Sequence, residues 1–145
     1  MKIFTIGFTK KSAREFFTAL KSAGVQRLVD VRLNNTSQLS GFAKKDDLQY
    51  FLKEVGPIEY VHIPLLAPTQ DLLDGFKKRK GSWEAYEAGF LRLISERHIE
   101  ERISRETLDS SCLLCSEEKP HHCHRRLVAE YLSDKWGNLE IQHLA

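Results

Sequence analysis

The chain has 145 residues, about the size of one ordinary domain, which excludes a separate cofactor domain and makes residues 1–145 one expected domain. Hydrophobic residues make up 41% and charged residues 29%, a globular balance that argues against disorder. Lys and Arg number 22 against 20 Asp and Glu, so the net charge of +2 excludes the strongly basic balance of a dedicated nucleic-acid binder, and any anion site must be local.

Ile3–Ile6 reads as a short strand ended by Gly7. Ser12-Ala13-Arg14-Glu15 then forms a capping box for a helix that buries Phe16, Phe17, Leu20 and Ala23, with Gly24 as its left-handed stop. Leu28–Val31 is the second strand, the right spacing for a crossover unit with parallel strands. An irregular stretch from Leu33 to Lys45 leads to a helix capped by Asp46, burying Leu48, Phe51, Leu52 and Val55, and stopped at Gly56-Pro57. Tyr60–Ile63 is the third strand. Thr69 is expected to cap a helix holding Leu72, Leu73 and Phe76, whose basic end Lys77–Lys80 suits the helix dipole. Ser82 starts the next helix, with a core stripe of Trp83, Tyr86, Phe90 and Ile94, before a charged and exposed run from Glu96 to Glu106.

Cys112–Cys115 reads as a strand, a loop containing Pro120 follows, and a helix bearing Leu127, Val128, Tyr131 and Leu132 runs to Gly137; Leu139–Leu144 makes a last strand. This alternation predicts a three-layer α/β domain, a mainly parallel sheet of about five strands with helices on both faces. Ligands of such sheets bind beyond the C-terminal strand ends. Residues 7–12, 30–35, 62–68 and 115–125 should therefore gather at one edge. No apolar run is long enough to span a membrane, and the N-terminus enters a strand with no signal-peptide pattern, so a cytoplasmic location and no membrane partner are expected.

The chemistry concentrates between Cys112 and Arg126, which holds all three cysteines, half the histidines and two arginines. An odd cysteine count clustered in this way suits reduced thiols and not a disulfide framework. Cys112 and Cys115 resemble half a zinc knuckle, but on a strand an offset of three puts them on opposite faces, roughly 10 Å apart along the chain, so they would not chelate one ion. Cys112 reads as a packing residue. A zinc site drawn from Cys115, His122, Cys123 or His124 suits the donor chemistry yet lacks a second ligand pair, and no metal is assigned. Without a metal, Cys115 ends a strand while Cys123, His124 and Arg125 open the next helix, where free N–H groups favour an anion or a thiolate. Phosphatases of the dual-specificity and tyrosine classes use such a cysteine and arginine on a tighter loop. Nine residues separate Cys115 from Arg125, so that loop is absent, and rhodanese-like sulfur transfer meets the same objection.

Gly7–Ser12 lacks both the second glycine of a P-loop and the dinucleotide fingerprint, although Thr5 and Thr9 offer hydroxyls, and no cofactor is implied. Asp30 and Arg32 flank one strand residue and project to the same side. They form either a local ion pair or an acid-base carboxylate beside an anion-gripping arginine.

Thr5-Ile6-Gly7, Asp30-Val31-Arg32, Gly41-Phe42 and, most specifically, Leu113-Leu114-Cys115-Ser116-Glu117 with Cys123-His124-Arg125 resemble the domain of unknown function 488 family. The resemblance implies an α/β domain suspected to be enzymatic, with matching positions Gly7, Asp30, Arg32, Cys115, Glu117, Cys123, His124 and Arg125. Phe8 stands where the family often has His, and Leu66-Ala67-Pro68 where many members carry Leu-Gly-Gly.

The expected function is an enzyme acting on a phosphate-bearing or other anionic substrate, including a nucleotide or a nucleic-acid end. Gly7, Thr9, Arg32 and Arg125 would bind it; Cys115 or Cys123 would act as nucleophile or redox thiol; Asp30, Glu117 and His124 would serve acid-base or orienting roles. The alternative is a noncatalytic module, either metal-stabilised or a nucleic-acid adaptor using Lys10, Lys11, Lys77, Lys78, Arg79 and Lys80.

Overall fold

The computed structural model describes residues 1–36, 38–117 and 120–144, with backbone alone for 38–40. Parts of the 33–45 stretch and of the loop before Pro120 thus lie outside the described residues. Strands β1 (Lys2–Gly7), β2 (Arg27–Asp30), β3 (Glu59–His62), β4 (Ser111–Cys115) and β5 (Glu140–His143) form one sheet in the order β3-β2-β4-β1-β5. Every pairing is parallel, with Gly7 opposite Cys115 and Asp30 opposite both Leu114 and His62. Because strand side chains alternate, β4 feeds two cores. Cys112 and Leu114 pack with Phe4, Ile6 and Leu28 against α1 (Ala13–Ser22) and α2 (Lys45–Val55). Leu113 and Cys115 pack with Ile3 and Val29 against α4 (Trp83–Glu96) and α7 (His124–Trp136), with α3 (Gln70–Lys77), α5 (Ile99–Arg102) and α6 (Arg105–Leu108) adding to that face. The domain is the expected three-layer α/β fold, its sheet wholly parallel.

Local signals explain most boundaries. Ser12 and Glu15 close the capping box on α1, and Thr69 and Ser82 cap α3 and α4 through their hydroxyls. Gly24 stands at φ +75°, the left-handed turn expected after α1. Other expectations need correction. Lys44, not Asp46, precedes α2, Asp46 lies in its first turn, and Phe51 is exposed. Residues 96–106 are not a solvated run: α4 ends at Glu96, and Ile99 and Ile103 are buried with Leu108. The stretch 33–45 carries a 3₁₀ segment, Gln38–Ala43, bent at Gly41. Among the described residues no helix is long and apolar enough to cross a membrane.

Candidate functional site

The C-terminal end of β2 sets the site. The Asp30 carboxylate is fully buried and accepts four hydrogen bonds: Oδ1 from the Arg32 backbone N–H (3.1 Å) and Nε (2.9 Å), Oδ2 from Arg32 Nη2 (2.8 Å) and the Tyr60 hydroxyl (2.6 Å). Asn35 Nδ2 donates to the same Tyr60 oxygen at 3.0 Å. Burial, and then the Asp30 carboxylate, push the Tyr60 phenol above its ordinary range, so it stays a donor. Arg32 Nη2 also donates to Ala43 O, and His62 Nε2 donates to Arg32 O at 2.8 Å. The guanidinium is thus held from several sides, and it lies over the Phe8 ring at 5.4 Å. Arg32 is 5% exposed, yet its Nη1 has no hydrogen-bond partner among the described residues.

The ends of β1 and β4 supply a second buried cation. Arg125 Nε donates to Thr5 Oγ1 (3.3 Å), and its Nη1 donates to Cys115 Sγ (3.2 Å) and Glu117 O (2.7 Å). Burial pushes its pKa down to about 10, still cationic at neutral pH. Gly7 makes this arrangement possible, since a Cβ there would overlap the Glu117 carbonyl.

The cysteine count suggests separate thiols, but Cys115, at the end of β4, and Cys123, at the N-cap of α7, are paired as a disulfide, while Cys112 remains free and buried. The odd count concealed this because Cys112 belongs to the opposite core, as its strand offset from Cys115 implies. Burial raises the Cys112 thiol well above its ordinary range and keeps it inert. His124 follows Cys123, the N-cap of α7, and its Nε2 lies 2.7 Å from Val31 O. A carbonyl only accepts, so Nε2 carries the proton and Nδ1 is left with a lone pair. Burial lowers the His124 pKa to about 4, so the ring is neutral at pH 7.

These strand ends enclose a cavity of about 190 Å³. All four segments expected at this edge contribute: Phe8; Arg32 and Asn34; Pro68; and Cys115–Glu117 with His122–His124. Leu73, Phe76, Lys77, Trp83 and Tyr86 make the remaining wall, its three aromatic rings in mutual contact at 5.2–5.6 Å, and His122 stacks on Trp83 at 4.9 Å. A family model described as domain of unknown function DUF488 matches residues 12–132. The chain belongs to the DUF488 family. Neither a curated protein nor a solved structure matches it.

The cavity of this DUF488 protein contains Arg32, Cys115, Glu117, Cys123 and His124 from the residues singled out in the sequence. Gly7, Thr9, Asp30 and Arg125 are not in its lining. Gly7 and Arg125 lie behind it against Glu117 O, Asp30 is engaged in orienting Arg32, and Thr9 is exposed, tied by its N–H to Ser116 O. Glu117 is not an isolated carboxylate, because its Oε1 meets Lys77 Nζ at 2.6 Å. Trp83 and Tyr86 escaped sequence reasoning as site residues because an aromatic stripe at helical spacing reads as core, and Lys77 reads only as a solvated helix end or a contact of the nucleic-acid alternative. Tyr60 gave no local signal at all, since its partner lies 30 residues away.

Proposed function

We propose that this DUF488 protein is an enzyme whose cavity binds a phosphate-bearing or other anionic substrate at Arg32 and exposes it to the sulfur atoms of Cys115 and Cys123. The observation that carries the reading is that Arg32, which lines the cavity, holds a buried guanidinium nitrogen, Nη1, with no partner among the described residues. A buried donor left unsatisfied costs about 1–3 kcal/mol, which an anionic oxygen would recover. Asp30, itself held by Tyr60, fixes the other side of the fork, so the guanidinium is oriented before an anion arrives. The N-terminal end of α7, at Cys123 and His124, adds positive potential on the same cavity. Opposite, the Phe76, Trp83 and Tyr86 wall suits a flat apolar part of the same molecule. A volume of about 190 Å³ admits the anionic group and one ring, not a whole dinucleotide.

A nucleic-acid adaptor fits less well. Within the basic run Lys77 pairs with Glu117, Lys78 with Asp74 and Arg79 with Asp71, so most of its charge is neutralised locally.

Thermal unfolding with increasing inorganic phosphate, against chloride at matched ionic strength, tests the reading. The unsubstituted protein is expected to gain stability with phosphate alone. Arg32→Lys keeps a cation for Asp30 but removes the free amino group, so it should fold and lose that gain, whereas Lys80→Ala should keep it. A phosphate response as large in Arg32→Lys as in the parent would overturn the assignment.

A further inference from the structure

One ligand-bearing cluster is left without a task by anion binding alone. Cys115 Sγ, Cys123 Sγ and a ring nitrogen of His124 lie within 4.8 Å of one another, all buried and all at the cavity. They arrive from a strand end, a helix cap and the first helical residue, all parts of the rigid scaffold. We propose that, once its disulfide is reduced, this triad holds one zinc ion or a similar soft divalent cation, with the fourth coordination position open to the cavity.

Three features carry the proposal. Sulfur and imidazole are the donors such ions select, and three protein ligands with one open position is the pattern of catalytic, not structural, zinc. Second, the partners beyond the ligands are in place. His124 donates Nε2–H to Val31 O, which leaves Nδ1 as the ligating atom and fixes the ring, and Arg125 Nη1 donates to Cys115 Sγ at 3.2 Å. Third, the Cα atoms of Cys115 and Cys123 stand 7.6 Å apart, wider than the roughly 4.4–6.8 Å that disulfides usually span. Once the S–S bond is reduced, that Cα spacing is compatible with both sulfurs reaching one ion. Cys112, on the opposite face of β4, takes no part.

The chemistry balances without any further reactant beyond a reducing dithiol. Its two thiols become a disulfide, two electrons and two protons pass to Cys115 and Cys123, and their S–S bond breaks. Binding the cation then releases both thiol protons, and two thiolates neutralise a dipositive ion. An open position beside Arg32 would let the same anion touch the metal. This use of the position rests on the anion reading above, whereas the metal site stands on its three ligands alone.

Cobalt(II), a spectroscopic substitute for zinc, tests it in anaerobic, dithiol-reduced protein. One equivalent should produce a thiolate-to-cobalt charge-transfer band in the near ultraviolet, abolished by one equivalent of zinc. Cys115→Ser and Cys123→Ser should each lose about half the band, and His124→Asn should weaken cobalt binding at least about tenfold. Cys112→Ser should match the parent, and Arg32→Lys should bind cobalt normally while failing to respond to phosphate, which separates this proposal from the anion reading. A readout that needs no variant comes from alkylating the reduced parent protein: zinc should shield Cys115 and Cys123 at least about tenfold. No charge-transfer band in the reduced parent, a full band in Cys123→Ser, or equal alkylation with and without zinc would each overturn the metal site.

Discussion

Arg32 and Asp30 meet as a two-pronged ion pair, Nε to Oδ1 at 2.9 Å and Nη2 to Oδ2 at 2.8 Å, with both side chains buried. Such a pair contributes less to stability than its geometry suggests, because both ions lose their hydration, but breaking it strands one charge in the interior. Asp30→Asn should therefore cost about 3–5 kcal/mol. Tyr60→Phe, which removes a single hydrogen bond to the carboxylate, should cost about 1.5–3 kcal/mol. Urea unfolding measures both. If Asp30→Asn were the milder of the two, the carboxylate would not be the residue that holds Arg32.

Gly7 and Gly75 give opposite expectations for one substitution. At Gly7 a methyl group meets the Glu117 carbonyl, so Gly7→Ala should destabilise by about 1–3 kcal/mol and, by displacing the loop that follows β4, blunt the phosphate response. Gly75, inside α3, has open space around it and an ordinary φ. Gly75→Ala should stabilise by about 0.5–1 kcal/mol. Thermal melts of the two variants check the pair.

The legible and illegible parts of this chain differ in range. Caps at Ser12, Thr69 and Ser82 depend on residues three positions apart, and strand alternation alone separated Cys112 from Cys115, so these could be read directly. The convergence of four strand-end segments followed from the parallel α/β pattern. Residues 96–106 misled because Ile99, Ile103 and Leu108 are thinly spread among charges, and the two short helices α5 and α6 bury them by tertiary packing instead of by a continuous stripe. Nothing local distinguished Trp83 and Tyr86 as cavity wall from Phe90 and Ile94 as core, for all four share one helical stripe. The pairing of Asp30 with Tyr60 depends on strands β2 and β3 lying side by side, and that of Cys115 with Cys123 on the end of β4 meeting the start of α7.

His124 ties stability to pH. Burial lowers its pKa from 6.5 to about 4, so the unfolded chain binds a proton that the folded chain refuses between those values. Its contribution is complete above about pH 6.5, falls as pH drops through that window, and levels off below about pH 4. The loss should reach about 3 kcal/mol in metal-free protein. His143, lowered in the same direction by partial burial, adds to it. Urea midpoints recorded from pH 7.5 to 4 should show this slope flattened in His124→Asn; an unchanged slope would place the titration elsewhere.

Lys77 and Glu117 form a half-exposed ion pair at the cavity rim, Nζ to Oε1 at 2.6 Å. Exposed pairs contribute about 0–1 kcal/mol, so neither Lys77→Ala nor Glu117→Gln should change the unfolding midpoint much. Their effects on anion binding should be opposite. Removing the ammonium leaves the Glu117 carboxylate facing an incoming anion, and neutralising the carboxylate frees the Lys77 charge to attract it. At low ionic strength phosphate should bind about threefold more weakly to Lys77→Ala and about threefold more tightly to Glu117→Gln, both differences shrinking as salt is raised to about 0.5 M. Calorimetric titration with phosphate at two salt concentrations reads these shifts. Changes of the same sign in the two variants would mean that the pair acts by shaping the rim and not through its charge.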